Sequence, residues 1–563
     1  MREKSGATLA LFFIVGALLF LSFGFTEMAG SDLFWHVAGG REILEQQSLW
    51  VKDTWSYTEF GATWNNHEWL ADIVYFLWVD SASLSTLVYW KWAVIVYTYC
   101  GLQVVMWRQT GSNVAAISLS LLAVALAAPF LDLRPHLYTL AGFVTLLLLV
   151  VDRKPKLWSL ALLFLVWANT HGGFVFGLMA LTILIFPWQT LSSKSLGEYF
   201  KTLAACGLVC LVNPDGVEIF LLPLTYAFDS SSPYKQLAEW LSPFAQGGIR
   251  SELFFWIAPL TTLIALAYIY LQRKGERPVA WQALALLLLA LAMSLTSRRF
   301  IPLFGIAFAL ASAPLLGSFM RDRGEGNLQL PVLFGLLAFA AIRLWPFPLA
   351  HGPAFHYLAA EALYPKEVVN FVRENKLSGR VFAYYNWGGF LHLHTDGQLK
   401  VFIDGRANTI YDDQTYNDYV SVLSQRQGWL TKVEATGAEF FLWPIERAGG
   451  QQMLKALQAS GRWRPVYLDA VGYLVARNTV ELPEVFRQTS DSPEKRLAAA
   501  QSSYWSGQYE KALAEGQSVL IIQPYQLQAC RIVSSSYRAL NQPELAQQTI
   551  DDCRKVFPTR YLK

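Results

Sequence analysis

Between Glu27 and Glu68 the chain reads EMAGSDLFWHVAGGREILEQQSLWVKDTWSYTEFGATWNNHE. This polar stretch separates an apolar segment at 7–25 from a second at 84–106. It carries Asp32 and His36, four residues apart, and an adjacent pair, His67 and Glu68. Polar chain between two apolar runs reads as a loop on one face of a membrane, and its acids and histidines as the floor of a site there. Ser31 or Asp32 can cap a helix over SDLFWHVAGGREILEQQ, and on that helix Asp32 and His36 share a face. HEWLADIVYFLWV is amphipathic. With Trp35, Trp50, Trp55, Trp64, Trp69 and Trp78 nearby, it suits a helix lying in the membrane interface.

Composition requires the membrane. The 563 residues are 54% hydrophobic and only 15% charged, with mean hydropathy +0.30, where soluble domains carry about a quarter charged residues. Most of the deficit precedes residue 350. Apolar segments at 7–25, 84–106, 113–130, 136–151, 157–168, 174–187, 203–222, 253–271, 280–296, 301–319 and 330–346 give about eleven transmembrane helices, since a chain in lipid must satisfy its own backbone. The segments at 157–187 also read as a helix pair bent at NTHGG. The basic start and apolar run of the first segment resemble a signal peptide. No small-residue cleavage site follows Phe25, so the segment is expected to stay as the first helix.

Lys and Arg concentrate at alternate loops: Arg2 and Lys4, Arg108, Arg153 to Lys156, Lys194 and Lys201, Arg273 to Arg277, Arg321 and Arg323. That bias puts the amino end in the cytoplasm, and an odd number of spans puts everything after residue 346 outside. The net charge of +3 gives no support for a nucleic-acid partner.

After residue 350 the composition becomes that of soluble protein. EALYPKEVVNFVRENKLSG reads as a helix; RVFAYY, GGFLHL, KVFID, AEFFLWP and two runs within WRPVYLDAVGYLVARN read as strands; NDYVSVLSQRQGWLTKVEATG reads as a helix. Alternation of this kind predicts a small α/β domain. In the tail an offset of 34 pairs Gly507 with Asn541, Gln508 with Gln542, Glu510 with Glu544, Ala512 with Ala546 and Pro524 with Pro558. That period reads as tetratricopeptide-like helix pairs. The expected domains are 1–350, transmembrane with an outer loop at 26–83; 351–485, α/β; and 490–563, helical. Cys100, Cys206 and Cys210 fall in apolar spans as packing residues, while Cys530 and Cys553 can pair in an oxidising compartment.

Acids, histidines and arginines recur at the outer turns: Asp32, His36, His67, Glu68, Asp132, Arg134, His136, His171, Arg298 and Arg299. Charge at the rim of membrane helices is costly unless it meets water, a partner or a ligand. A carboxylate there can take a proton from an acceptor hydroxyl, and arginines can hold a departing phosphate. Asp32 is the expected base, with Glu68 and Asp132 as further acids. Arg298 and Arg299 are the expected phosphate contacts, and His36, His67, Arg134, His136 and His171 further substrate contacts. Asp32, His36, His67 and Glu68 together can hold a divalent ion, Mg2+ or Mn2+. Each has a plainer reading: a helix cap for Asp32 or His171, ordinary lipid head groups for the arginines. In the outer domain Asp404 and Arg406 either touch an acceptor or lock a turn as an ion pair.

SDLFWHVAGGREILEQ followed by DTWSYTEFGATWNNHEWL, with RPHLYTL, WANTHGGF, LVNPDG, SRRFIPLF, YYNWGGFLHL and VFIDGRANTIY, resembles a bacterial branch of the GT-C superfamily of membrane glycosyltransferases. The resemblance implies a polytopic α-helical enzyme of the bacterial inner membrane with extracytoplasmic α/β and tetratricopeptide-like regions. It implies transfer of a sugar from a polyprenyl-phosphate-type donor to a glycan, lipid or protein acceptor. It puts a catalytic acid at Asp32 and a second at Asp132. The superfamily's paired-acid motif is replaced here, since leucine and phenylalanine follow Asp32. Two other classes fit the same composition: a lipid or glycan transporter, and a non-catalytic assembly protein that recruits an envelope partner through its tail.

Overall fold

The computed structural model describes residues 2–26, 32–188, 190–221, 232–237, 239–274, 280–323, 326–344, 364–445, 447–487, 491–524 and 526–556. Ser31 as a cap, Arg277 and the start of the second domain at 351–363 lie outside them. The chain forms two compact units. One contains 1–28, 67–71 and 86–345; the other contains 29–66, 72–85 and 346–563. The polar stretch of the first loop therefore falls largely with the C-terminal part of the chain, not with the helices that flank it in sequence.

The first unit is helical and membrane-spanning in character. Its helices are α1 (Arg2–Phe23), α4 (Leu87–Thr110), α5 (Asn113–Ala127), α6 (His136–Val150), α7 (Leu157–Thr170), α8 (Phe174–Leu184) and α9 (Ser193–Cys210), followed by Glu252–Ile257, Leu260–Lys274, Trp281–Thr296, Ile301–Arg323 and Gly326–Leu344; α2 (Leu33–Gln46) and most of α3 (Trp69–Ser81) belong to the other unit. Each expected apolar segment overlaps a helix. Among the described residues five are long and apolar enough to cross a membrane: Gly6–Phe23, Asn113–Phe130, Glu252–Lys274, Arg298–Met320 and Gly326–Leu344. Four more are apolar but shorter: α6, α7, α8 and Trp281–Thr296. The chain is thus a largely α-helical polytopic membrane protein.

Some helix ends in this unit are closed by side chains. Ser112 Oγ accepts from the Ala115 N–H to start α5. Past the end of α1, Trp92 Nε1 donates to the Gly24 carbonyl at 3.0 Å and Lys91 Nζ to the Thr26 carbonyl at 2.9 Å. Carbonyls at a helix end have no partner within the helix, and lipid supplies none. The pair α7–α8 breaks at NTHGG, where His171 leaves the helix in an extended conformation.

The second unit holds a short antiparallel pair, β1 (Val51–Lys52) and β2 (Thr63–Trp64), and a five-stranded sheet of order β4-β3-β5-β7-β6, with β3 (Gly379–Ala383), β4 (Leu399–Val401), β5 (Phe440–Pro444), β6 (Trp463–Leu468) and β7 (Gly472–Arg477). β3 is parallel to β4 and β5, whereas β7 runs antiparallel to β5 and β6. Val368, Val369 and Val372 of the helix Lys366–Glu374 cover one face, together with Phe34 of α2. GGFLHL is not a strand. It lies in the helix Gly388–Thr395, buried along most of its length. An apolar run this short has no period that separates strand from buried helix. NDYVSVLSQRQGWLTKVEATG holds two helices, Asp413–Leu423 and Trp429–Ala435, rather than one.

At the core of this unit Arg406, fully buried, spans two carboxylates: Nη1 lies 2.9 Å from Asp53, and Nη2 lies 2.8 Å from Asp404. Its guanidinium lies 3.8 Å over the Trp55 ring and donates to the Tyr411 hydroxyl. Asp404 and Arg406 form the internal ion pair of the two readings above.

The tail has four helices, Pro493–Trp505, Tyr509–Ile522, Leu527–Ala539 and Pro543–Val556. Gly507 and Asn541, paired by the offset of 34, both turn the chain with positive φ, +74° and +58°. Ala512 and Ala546 are both fully buried. A disulfide joins Cys530 to Cys553. Ala470, in the β6–β7 turn, packs with Leu497, Ala500 and Ala512 of the tail. Beside it Asp469 is 2% exposed and accepts from the Val471 and Gly472 N–H groups. Burial pushes its carboxyl up to about 7; Glu494 and Glu367 add like charge, and the two N–H donors oppose the shift.

Two outcomes follow from these buried charges. Arg406→Ala leaves two carboxylates unpaired and is expected to cost about 3–5 kcal/mol, read as a lower thermal midpoint in detergent. An unchanged midpoint would remove the ion-pair account. Because the folded state raises the Asp469 pKa, its stabilising contribution is complete below the unfolded value of about 4 and is lost as pH rises through 7. The midpoint of wild type should therefore fall over that range relative to Asp469→Asn, and parallel profiles would refute it.

Candidate functional site

The turn between α5 and α6, PFLDLRPH, is set by two prolines. Pro129 lies in a 3-10 turn after α5, and Pro135 occupies the cap position of α6. Proline cannot donate to a continuing helix, so the chain between them is free to place side chains. Arg134 Nε lies 2.7 Å from Asp132, and its Nη1 lies 2.5 Å from Glu239. His136 Nε2 donates to the Phe130 carbonyl at 2.6 Å, with Asp132 at 4.0 Å.

Glu239 is shared. Arg299 Nη1 lies 3.8 Å from its other oxygen, and the Arg299 guanidinium sits 4.1 Å over the Trp240 ring. The backbone joins the same elements: the N–H of Arg299 donates to the Glu239 carbonyl and that of Arg298 to the Leu241 carbonyl. Burial alone would raise the Glu239 pKa. The guanidiniums of Arg134 and Arg299 outweigh it and hold the carboxyl below its usual value. Glu239 is therefore an anion between two cations, a quarter exposed, as are Asp132 and Arg299.

Arg298 does not join this group. Its guanidinium is buried and donates to the carbonyls of Ser242, Ala245, Gly247 and Ile249, tying down the loop before Glu252–Ile257. Those four bonds use four of its five N–H donors, and burial keeps the group from a phosphate in the aqueous layer.

A second cluster in the same unit contains His67, Glu68 and His171. His171 Nε2 lies 3.6 Å and His67 Nε2 3.8 Å from the same Glu68 oxygen. Trp69 Nε1 donates to Asn169 Oδ1 at 2.8 Å, and the Asn213 amide donates to the same oxygen at 3.0 Å. The sequence signal for this cluster was the NTHGG break, which puts a histidine at the end of a membrane helix.

Asp32 and His36 lie in the second unit. Asp32 occupies the cap position of α2, but its side chain makes no capping hydrogen bond. A Cβ placed on Gly405 would come 3.4 Å from its Oδ1. His36 Nδ1 meets Asp72 Oδ1 at 2.6 Å, and Asn66 donates to Asp72 Oδ2 at 2.8 Å. Asp72 is fully buried, and burial raises its pKa against the opposing pull of His36. Asp72 and Glu239 are the two acids that the sequence left out of the candidate set. Glu239 lies in a polar segment far along the chain, and Asp72 looked like one acid on an amphipathic helix.

The residues expected to hold a divalent ion are divided between the units: Asp32 and His36 in one, His67 and Glu68 in the other. Among the described residues no group of three or more His, Cys, Asp or Glu side chains is arranged to hold a metal ion.

No family model matches the chain, and no curated protein matches it. Among solved structures it is similar to the oligosaccharyltransferase AglB of the archaeon Archaeoglobus fulgidus, solved with an inhibitory peptide and a dolichol-phosphate. The TM-score is 0.55 at 13% identity, over 97% of this chain and 87% of that one. At that identity the likeness is one of fold.

A double-mutant cycle on Arg134→Gln and Glu239→Gln tests the first cluster. A coupling near about 1 kcal/mol in thermal stability is expected for a partly exposed pair. Additive effects would show that the two side chains do not act together. The likeness in fold leads to a single conclusion: this chain has the architecture of a solved membrane oligosaccharyltransferase.

Proposed function

We propose that the chain is a membrane glycosyltransferase that moves a sugar from a polyprenyl-phosphate-type donor to an acceptor at the extracytoplasmic face. The observation that carries this reading is the Asp132–Arg134–Glu239–Arg299 cluster at the ends of membrane helices. It sits in a chain that shares its fold with an oligosaccharyltransferase solved with a dolichol-phosphate. Paired guanidiniums match the geometry of phosphate oxygens, and a carboxylate already between them keeps them in place until a phosphate competes for them.

Asp32 takes the proton of the acceptor as its oxygen or nitrogen bonds to the anomeric carbon. The bond from that carbon to the phosphate oxygen breaks, and its electron pair leaves with the lipid phosphate. Arg134 and Arg299 hold the growing charge, with Asp132 orienting Arg134. Glu68, His67, His171, His36 and His136 are assigned to substrate contact and support. Arg298 holds the loop that follows Glu239, through its N–H to the Leu241 carbonyl and its guanidinium to the carbonyls of Ser242, Ala245, Gly247 and Ile249. The Cys530–Cys553 disulfide supports an oxidising, extracytoplasmic compartment for the tail. Dependence of turnover on Mg2+ or Mn2+ is read by adding chelator.

Purified protein incubated with polyprenyl-linked sugars should release lipid phosphate or diphosphate. Asp32→Asn should slow release by about 10²–10⁴-fold, the range of a lost general base. Arg299→Ala should slow it as well, while Trp505→Ala in the tail should not. Turnover unchanged in Asp32→Asn would remove Asp32 from the base role. Absence of turnover with every donor would sink the transferase reading.

A further inference from the structure

His171 is assigned above only to substrate contact, yet its Nδ1 meets two defined groups. Thr139 Oγ1 lies 2.7 Å from His171 Nδ1, and the Gly173 N–H donates to the same nitrogen at 3.0 Å. A backbone N–H can only donate, which favours Nδ1 as an acceptor. The indole Nε1 of Trp167 donates to Thr139 Oγ1 at 3.0 Å. An indole also only donates, so the Thr139 hydroxyl hydrogen is left to point at Nδ1. The ring proton must then lie on Nε2, which faces Glu68 at 3.6 Å. All the donors run in one direction, from Trp167 through Thr139 and His171 towards the carboxylate. A second proton on the ring would set Nδ1–H against the Gly173 N–H.

This chain is built by close approach of backbone. A Cβ on Gly173 would sit 2.1 Å from Thr139 Oγ1. A Cβ on Gly142 would lie 2.6 Å from the Trp167 ring, and one on Gly177 would lie 2.5 Å from it. Trp167 is 2% and Thr139 5% exposed. Glycines on α6 and α8 thus clamp the indole, and a third lets the hydroxyl reach the imidazole. The glycines of NTHGG were legible as a helix break; their contact with Thr139 was not.

We infer that Thr139 is a positioning residue: with Trp167 behind it, its hydroxyl, together with the Gly173 N–H, fixes His171 as the Nε2–H tautomer that presents a donor to Glu68. The functional consequence rests on the transferase reading. A fixed Nε2–H donor orients the Glu68 carboxylate while leaving it able to accept a proton or a substrate hydroxyl. Thr139 is expected to touch no substrate.

The test compares Thr139→Val, which keeps the shape and removes the hydroxyl, with Thr139→Ser, which restores it. Ring-15N histidine is incorporated into the full chain in detergent, and His171→Asn assigns the His171 signal among the eight histidines. Wild type and Thr139→Ser should show Nδ1 unprotonated and Nε2 protonated, and Thr139→Val should show the two nitrogens partly averaging, because Nδ1 then loses the 2.7 Å hydroxyl contact and keeps the Gly173 N–H. In the donor-release assay, Thr139→Val should lower kcat at least about tenfold with KM unchanged, and Thr139→Ser should recover it. A wild-type tautomer in Thr139→Val would overturn the inference, as would Thr139→Ser behaving like Thr139→Val. The spectra need no substrate. If no donor turns over, the transferase reading fails, and the tautomer alone decides the role of Thr139.

Discussion

A charge at the end of a membrane helix must be met by another group, because lipid offers it nothing. In the helical unit that requirement organises everything outside the apolar packing. Arg134 is met by Asp132 and Glu239, and Glu239 in turn by Arg299. Arg298 is met by four carbonyls of its own neighbouring loop. Lys91 is met by the carbonyl and hydroxyl of Thr26 just past α1. Two adjacent arginines thus have opposite fates. One is absorbed into structure, and the other remains a quarter exposed on the face of Trp240. That difference is what makes Arg299, and not Arg298, the candidate for holding a phosphate.

The second unit obeys the same rule away from lipid. Arg406 is as buried as any leucine, and it persists because Asp53, Asp404, Tyr411 and the face of Trp55 surround it. Asp53 belongs to the first polar loop, whereas Asp404 and Tyr411 lie some three hundred and fifty residues later, so this ion pair ties the loop to the sheet. Tyr57 adds backbone to the tie: its N–H donates to the carbonyl of Val401 on β4. Asp32 and His36 therefore stand on a scaffold made by the C-terminal part of the chain. A loop between two membrane helices would have little reason to hold them in place.

Legibility followed distance along the chain. Asp132, Arg134 and His136 share one turn, and their grouping could be read directly. Glu239 completes that turn from more than a hundred residues away, and nothing in DSSSPYKQLAEWLSPF marks it apart from any other acid in a polar segment. His36 was paired in sequence with Asp32, at the spacing of one helical turn. In the structure its ring bonds Asp72 on another helix, because α2 and α3 pack closely enough to bury both groups. The helix Gly388–Thr395 had the look of a strand, since six residues of mixed glycine, histidine and apolar type carry neither period.

By itself the sequence determined that the first 350 residues form apolar helices, that soluble structure follows them, and that a repeat of 34 closes the chain. Those are statements about composition and local period, which each residue contributes without reference to distant ones. Only the tertiary structure decided which charges neutralise one another and which remain. It set the tautomer of His171 through Thr139 and placed Asp32 at a helix start without a capping bond. The physical reason is that hydrogen bonds and ion pairs act over a few ångströms. Their partners come from wherever the packing of helices and strands brings the chain together.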